Sequence, residues 1–378
     1  MLTDRGRWFS ISEPIGVYIH VPFCAAKCPY CDFYSLPGRA AGGRDDYARA
    51  LARLLRRKFG DRRRKADTLY FGGGTPPLLG AENLAALIRE AKRDFGLSDA
   101  EITVEVNPAQ YPPDFFEKMA RAGVTRLSIG LQSADDGELR LLGRRHTAAQ
   151  ARQAVRDAQA AGFANISLDL MLAIQLQTED SLRRSVEFCA ECGVQHVSAY
   201  LLKVERGTPY DRRRDKLQLP GEDETAELYL LACRELEQYG FAQYEISNFA
   251  QKGKESRHNL KYWNAEEYFG AGPSAHSFLD GARYYYPPDF AAFLAGREPA
   301  REGTGGSFEE YAMLRLRLAD GLRGDKCRAR FGHGIPPEYR ERAEKYAGAG
   351  LLTCGDDAIR LTPRGFLVSN ALIGEILF

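Results

Sequence analysis

Short apolar runs recur along the first two thirds of the chain, each followed by a stretch with helical spacing. The runs occupy residues 17–21, 68–71, 101–106, 126–131, 166–170 and 196–201. Each is short, rich in Val, Ile, Leu or aromatics, and bounded by Gly, Pro, Asn or charge, which is the signature of a strand. Between them the apolar positions return every three to four residues. In 45–59, for example, Tyr47, Leu51, Leu54, Leu55 and Phe59 fall on one face while Arg49, Arg53, Arg56 and Arg57 fall off it. Helices are likewise predicted over 81–95, 113–122, to 161, to 192 and over 223–239. Strands alternating with helices predict βα units on a parallel sheet. Right-handed crossovers would curl six such units into a partial barrel.

After Gly253 the pattern weakens. Residues 251–306 carry scattered aromatics, Gly and Pro with no strong period, so an irregular connection is expected. From Ser307 to the last residue helical spacing returns, with a short β-pair at 351–353 and 359–361. Helices followed by a β-pair suggest a small winged-helix-like unit. The expected organisation is therefore a partial α/β barrel over 1–250, a connecting segment over 251–306 and a winged-helix-like unit over 307–378.

Composition narrows the function. The chain has 378 residues, 44% of them hydrophobic and 27% charged, as in an ordinary globular protein. With 52 basic and 51 acidic residues there is no positive excess for a nucleic-acid surface. In the C-terminal unit Glu338, Glu341 and Glu344 offset Arg340, Arg342 and Lys345, which favours docking or structure over DNA. The basic run Arg62-Arg63-Arg64 is expected as a solvated face or an acidic partner's docking patch. No apolar run has the length of a membrane span, which leaves only transient membrane association. The first sixteen residues lack the apolar core of an export signal. A cytoplasmic location is expected, because thiols kept free for a metal suit a reducing compartment.

Those thiols are the clearest chemical signal. Cys24, Cys28 and Cys31 stand within eight positions on the loop after the first strand, on a segment carrying Lys27 and Pro29. Buried thiols packed as small hydrophobes have no reason to cluster there, and no further cysteine lies close by to complete a zinc site. Three thiolates can hold three irons of a 4Fe–4S cluster, leaving one iron open to a ligand. The C-x3-C-x2-C spacing resembles that of the radical S-adenosylmethionine (SAM) superfamily, in which SAM fills the open site. In parallel barrels the chemistry sits at the carboxyl ends of the strands. Here those ends carry Gly72-Gly73-Gly74-Thr75, Glu105 with Asn107, Gln132, Asp169 and Tyr200. Glycines let backbone groups approach a ligand closely, and a carboxylate accepts hydrogen bonds from ribose hydroxyls. Cys189 and Cys192 form a second C-x2-C, but at the end of a predicted helix beside Val186 and Phe188, where core packing is expected.

Longer motifs extend the resemblance over nearly the whole chain. They are Tyr18-Ile19-His20-Val21-Pro22-Phe23-Cys24, Gly72 to Pro76, Glu105-Val106-Asn107-Pro108, Gly130-Leu131-Gln132-Ser133, Leu142-Gly143-Arg144-Arg145-His146 and Asp169-Leu170-Met171. The chain thereby resembles the branch of radical SAM proteins that includes the oxygen-independent coproporphyrinogen III oxidase HemN and the haem chaperone HemW. The resemblance implies that Cys24, Cys28 and Cys31 ligate the cluster and that Tyr18, Gly73 and Glu105 contact its SAM. It further implies that Tyr30, Gly74, Thr75, Gln132, Arg144 and Asp169 match positions that hold a second SAM in HemN. The oxidase pattern has a further cysteine two residues after the third, where this chain has Phe33. The chaperone pattern H-N-x-x-Y-W is met by His258-Asn259-Leu260-Lys261-Tyr262-Trp263. The resemblance therefore implies cluster, SAM and haem as cofactors, His258 as a loop ligand to haem iron, a haem-accepting protein and an electron donor as partners, and transfer of haem as the function. Its alternative is oxidative decarboxylation of coproporphyrinogen. One segment departs from the family pattern Asp-Leu-x-x-Gly-Leu-Pro-Gly-Gln-Thr. Residues 173–177 read Ala-Ile-Gln-Leu-Gln, without the glycines or the proline, so a differently shaped loop is expected.

Overall fold

The computed structural model describes residues 13–38, 43–60, 64–97, 99–109, 111–355 and 357–378. Arg62, Arg63 and residues 1–12 of the stretch read for an export signal lie outside the described residues. Six strands, β1 (Ile15–Val21), β2 (Ala66–Gly73), β3 (Glu101–Val106), β4 (Arg126–Gln132), β5 (Ile166–Leu172) and β6 (His196–Leu201), pair in parallel in chain order. The helices α1 (Arg44–Phe59), α2 (Ala81–Phe95), α3 (Phe115–Ala122), α4 (Asp136–Leu141), α5 (Ala148–Ala160), α6 (Glu179–Glu191) and α7 (Glu222–Gln238) form the crossovers. Their starts are set locally. Thr147 with Gln150 and Thr178 with Ser181 make reciprocal caps at α5 and α6, satisfying amides that have no partner within the helix. The sheet is an α/β partial barrel of the expected class.

Side chains on a strand alternate between its faces. One face is apolar: Val17, Ile19, Leu69, Phe71, Ile102, Val104, Leu127, Ile129, Ile166, Leu168 and Val197 are buried in the main hydrophobic core. The other carries Tyr18, His20, Tyr70, Glu105, Ser128, Asp169, Ser198 and Tyr200, and these meet one another. The barrel thus has an apolar coat under its helices and a polar lumen. Strands buried on both faces are usually apolar throughout; here the lumen side is reserved for polar chemistry.

The segment 251–306 is more ordered than its weak period implied. On the far side of β6 come β7 (Ala242–Glu245) and β8 (Asn248–Ala250), both antiparallel. A short helix α8 (Arg257–Trp263) follows, then β9 (Tyr268–Ala271) pairs in parallel on the open side of β1, with Gly16 opposite Tyr268 and Ile19 opposite Ala271. The parallel run therefore has a seventh strand. An antiparallel meander continues from it: β10 (His276–Leu279), β11 (Ala282–Tyr285) and, after α9 (Phe290–Leu294), β12 (Ala300–Thr304). Elements of four or five residues are too short to show a period, which is why the pattern looked irregular.

The C-terminal unit runs α10 (Phe308–Arg315), β13 (Leu322–Arg323), α11 (Gly324–Phe331), α12 (Pro337–Ala347), β14 (Leu352–Gly355) and β15 (Ala358–Leu361), closed by α13 (Pro363–Leu367) and α14 (Ser369–Leu377). Its strands order as β13-β15-β14, all antiparallel, in the winged-helix manner. It grips the end of α8: Arg330 donates to the carbonyls of Asn264 and Ala265, and Arg315 to the side chain of Asn264.

Candidate cofactor site at the carboxyl ends of the strands

The loop after β1 is fixed by backbone before any ligand is considered. The amides of Gly74 and Thr75 donate to the carbonyls of Val21 and Phe23 at 2.8 and 2.7 Å. A side chain on Gly74 would meet those same carbonyls at 2.8 and 2.7 Å, so only glycine allows the two loops to join here. The joint places Thr75 against Cys24, its hydroxyl 3.8 Å from the sulfur. All three cysteines are free and half-buried. Burial pushes the thiols of Cys24 and Cys31 up, and each feels Cys28 as a neighbour. Among the described residues no group of three His, Cys, Asp or Glu side chains converges on one metal ion. A cubane cluster does not need that, because each thiolate takes a different iron. The donor set therefore fits a cluster with one iron left over.

Beside the loop lies the lumen network. Glu105 accepts from the Tyr70 hydroxyl at 2.9 Å and from the Gly73 amide at 3.1 Å. Burial, together with the charge of Asp169, pushes its carboxyl up to about 7, and the two hydrogen bonds and Arg126 hold it down. It thus sits where a ligand can decide its charge. Gly73 has φ of 108°, and a β-carbon there would strike the His20 ring. That ring donates from Nε2 to the carbonyl of Tyr34 at 2.8 Å, which leaves Nδ1 to accept from the Tyr18 hydroxyl at 3.1 Å. Asp169 accepts from Ser128 at 3.1 Å, and its own carboxyl is pushed up by burial.

The third group is cationic. Arg144 donates to the carbonyl of Gly130 at 2.9 Å and reaches within 3.8 Å of the Cys28 sulfur. Tyr30 lies beside it, its hydroxyl held protonated chiefly by burial. Gln132, which ends β4, has φ of 74°, a conformation that costs a non-glycine residue about 1–2 kcal/mol. Such a position at a strand end is a common mark of a working site. Tyr18, Tyr30, Gly73, Gly74, Thr75, Glu105, Gln132, Arg144 and Asp169 therefore gather with the three cysteines at one mouth of the barrel.

His258 meets this group from below, its ring centroid 6.4 Å from that of Tyr18. It lies in α8 rather than in a loop, because Ser256 caps the helix by accepting from the Asn259 amide. The helix closes the opposite mouth: the amides of Arg257 and His258 both donate to Glu101, the first residue of β3. The imidazole is 1% exposed, with Nδ1 bonded to Thr68 at 2.7 Å and Nε2 to Tyr262 at 2.7 Å. Burial, then Lys261 and Arg126, lower its pKa to about 3, so it is neutral. Its ring stacks on Tyr70, centroids 5.1 Å apart. An iron could reach it only by breaking one of these bonds and opening α8. The expected loop position of His258 is thus corrected to a buried place in α8.

The loop of 173–177 is held in an uncommon backbone conformation. Ala173 and Leu176 have φ of 55° and 60°. These are the positions where the family pattern has glycine, so this chain takes a left-handed backbone at both without the residue that permits it cheaply. Gln177 compensates by bonding the Ala173 amide and the Met171 carbonyl. Cys189 and Cys192 are buried in the hydrophobic core, as packing predicts. The inward faces of the strands also hold residues that reading strand ends alone missed: His20, Tyr70, Arg126, Ser128 and Ser198. Arg126 is 1% exposed, with Nε and one terminal nitrogen unpartnered; burial opposes its charge, and Glu101 leads the groups that sustain it. Their signal was present as polar residues at every second position, in Thr68-Leu69-Tyr70 and Ser167-Leu168-Asp169 for instance.

A polar barrel lumen, a three-thiol loop and a glycine joint are features of a known protein class. The sequence profile of the Radical SAM superfamily matches residues 18–189, and that of the HemN C-terminal domain matches residues 308–368. The chain is 39% identical to the protein named Heme chaperone HemW of Mycobacterium tuberculosis, over 97% of this chain and 95% of the relative. It is 33% identical to the protein of the same name in Bacillus subtilis, over 96% and 99%. The chain belongs to the HemW-like branch of the radical SAM proteins. Its fold is shared with coproporphyrinogen III oxidase (HemN) from Escherichia coli, with a TM-score of 0.82 at 20% identity over 97% of this chain and 91% of that one. No helix among the described residues is long and apolar enough to cross a membrane.

Proposed function

We propose that the protein is a cytoplasmic haem chaperone that carries a 4Fe–4S cluster and SAM and passes haem to an acceptor protein, with a separate electron donor. The observation that carries this reading is the end-to-end likeness to HemW relatives, which spans barrel, connecting segment and C-terminal unit alike. Phe33 supports it: the side chain is exposed where the oxidase pattern has a further cysteine. Cys24, Cys28 and Cys31 would hold the cluster, while Tyr18, Gly73 and Glu105 would face its SAM. Tyr30, Gly74, Thr75, Gln132, Arg144 and Asp169 complete the polar mouth. When bound, the cluster supplies a single electron for radical chemistry on SAM; the protein supplies position and charge. Glu105, poised near neutrality, can meet ribose hydroxyls as a carboxylate, and Arg144 lowers the cost of negative charge on the thiolates. The test is a haem titration of the reconstituted protein run beside a coproporphyrinogen decarboxylation assay. Stoichiometric haem binding without decarboxylation supports the chaperone. Decarboxylation without haem binding selects the oxidase instead.

A further inference from the structure

Outside the lumen, against the flank of the cysteine loop, lies a cavity of about 440 Å³. One tyrosine ties its walls together. The Tyr210 amide donates to Pro29 on the cysteine loop at 3.0 Å. Its hydroxyl donates to the carbonyl of Leu141 at the end of α4 at 2.7 Å and receives the Gln175 side chain at 3.1 Å. The cavity is thus a built space between three loops. Arg140, Arg213 and Lys216 line it, and no acidic side chain does. Asp211, on the same segment, turns its carboxylate to the Gly207 amide. None of the three cations has a carboxylate partner among the described residues.

Apolar side chains stand among and beside these cations, two of them exposed. Leu141 lines the cavity at 38% exposure, beside Leu217. Leu176 is 60% exposed, and its amide donates to the carbonyl of Gln218, the next residue after Leu217. Leu176 is also one of the residues held at positive φ where the family pattern has glycine. A large apolar side chain exposed on a strained backbone gains nothing from folding, so an observed outlier of this kind argues for use. Exposed cations along the cavity wall, with exposed leucines beside them, complement a flat apolar body that carries carboxylates along one edge. An inorganic anion or a sugar phosphate would satisfy the cations and leave the leucines in water.

We infer that this cavity seats the carboxylate edge of a tetrapyrrole, with Arg140, Arg213 and Lys216 taking its propionates and Leu141, Leu176 and Leu217 lying under the macrocycle. The assignment rests on the haem reading and names where the haem sits. It puts the ligand beside the cluster loop, at the barrel end opposite His258.

The test uses the full chain with its cluster reconstituted, titrated with haem and, separately, with haem dimethyl ester, which lacks free carboxylates. Arg213→Ala/Lys216→Ala is the working variant, and Arg121→Ala, on the far surface in α3, is the control. Cluster absorbance reports that each protein is intact. Haem affinity should fall about tenfold in the double variant, the size expected of two partly exposed charge pairs, and stay unchanged in the control. The ester should bind weakly and equally to all three proteins. Leu176→Gly should weaken haem and ester alike, since it removes apolar contact rather than charge. If the unaltered protein binds haem but the double variant binds it within twofold, or if the ester binds as tightly as haem, the cavity assignment is overturned while the haem reading stands. If the unaltered protein binds no haem, both fall.

Discussion

Replacing His258 with alanine separates the two roles the residue has been given. The structure predicts a loss of stability first. The imidazole is buried and bonded at both nitrogens, so its removal leaves Thr68 and Tyr262 hydroxyls without partners and opens a void under the Tyr70 ring. An unsatisfied buried group costs about 1–3 kcal/mol, and a large-to-small change in a core about 2–5 kcal/mol. These overlap at one site, so a total on the order of 3–5 kcal/mol is expected. Urea denaturation of the ligand-free protein measures it as a lowered midpoint at unchanged slope. His258→Gln, which keeps polar reach, should recover part of the loss. Because Tyr70 also holds Glu105, SAM affinity should weaken in both variants, whereas the haem spectrum should not change. A His258→Ala protein of unaltered stability whose haem spectrum shifts would refute the floor role and restore His258 as the iron's ligand.

Other outcomes follow from the same geometry. Cys24→Ala, Cys28→Ala or Cys31→Ala should abolish the visible absorption of the cluster, while Cys189→Ala and Cys192→Ala should keep it; iron loss in either of the latter would refute the ligand assignment. Glu105 has its pKa raised from 4.5 to about 7, so the folded chain holds a proton that the unfolded chain has lost. Glu105 should therefore contribute a fall in stability of the ligand-free protein, on the order of 3 kcal/mol, as pH rises from about 4.5 to about 7, and Glu105→Gln should remove that share while Glu245, raised to about 7 as well, keeps its own. Leu176→Gly should not destabilise the ligand-free protein and should raise its stability by up to about 1 kcal/mol, because glycine accepts φ of 60° freely; a drop in melting temperature would show that the leucine packs in the fold. Gly73→Val should displace the His20 ring and weaken SAM binding, so SAM affinity is to be read beside His20→Ala to separate the glycine from its neighbour.

The barrel was legible because each of its strands is long enough to show a run and each crossover helix long enough to show a period. The helix over 81–95 has the bounds expected of it. What escaped was short or needed partners from far along the chain. Strand β9 has four residues, one of them glycine, and is a strand only because β1 offers it an edge. The cysteine loop declared itself, since three thiols within eight positions of one loop suit a metal far better than a core. Glu105 and Asp169 were found at strand ends, but Tyr70 and Arg126 lie deeper, and only the every-second-residue alternation would have turned them inward. His258 was the hardest. A histidine between polar residues looks exposed in sequence, and nothing local says that Glu101, some 150 residues earlier, will accept from its amide. At 173 and 176 the positive φ was not legible without glycine, because it is hydrogen bonds to Gln177 that hold a backbone composition alone disfavours.

The grip of Arg315 and Arg330 on the residues that end α8 makes the boundary near Ser307 a seam in sequence only. A fragment cut there would keep every barrel strand yet lose the donors that satisfy the trailing carbonyls of its own stopper. Such a fragment should leak at the base, admitting water to the lumen from the side away from the cluster. The winged-helix unit is in this sense the bolt that keeps the barrel shut.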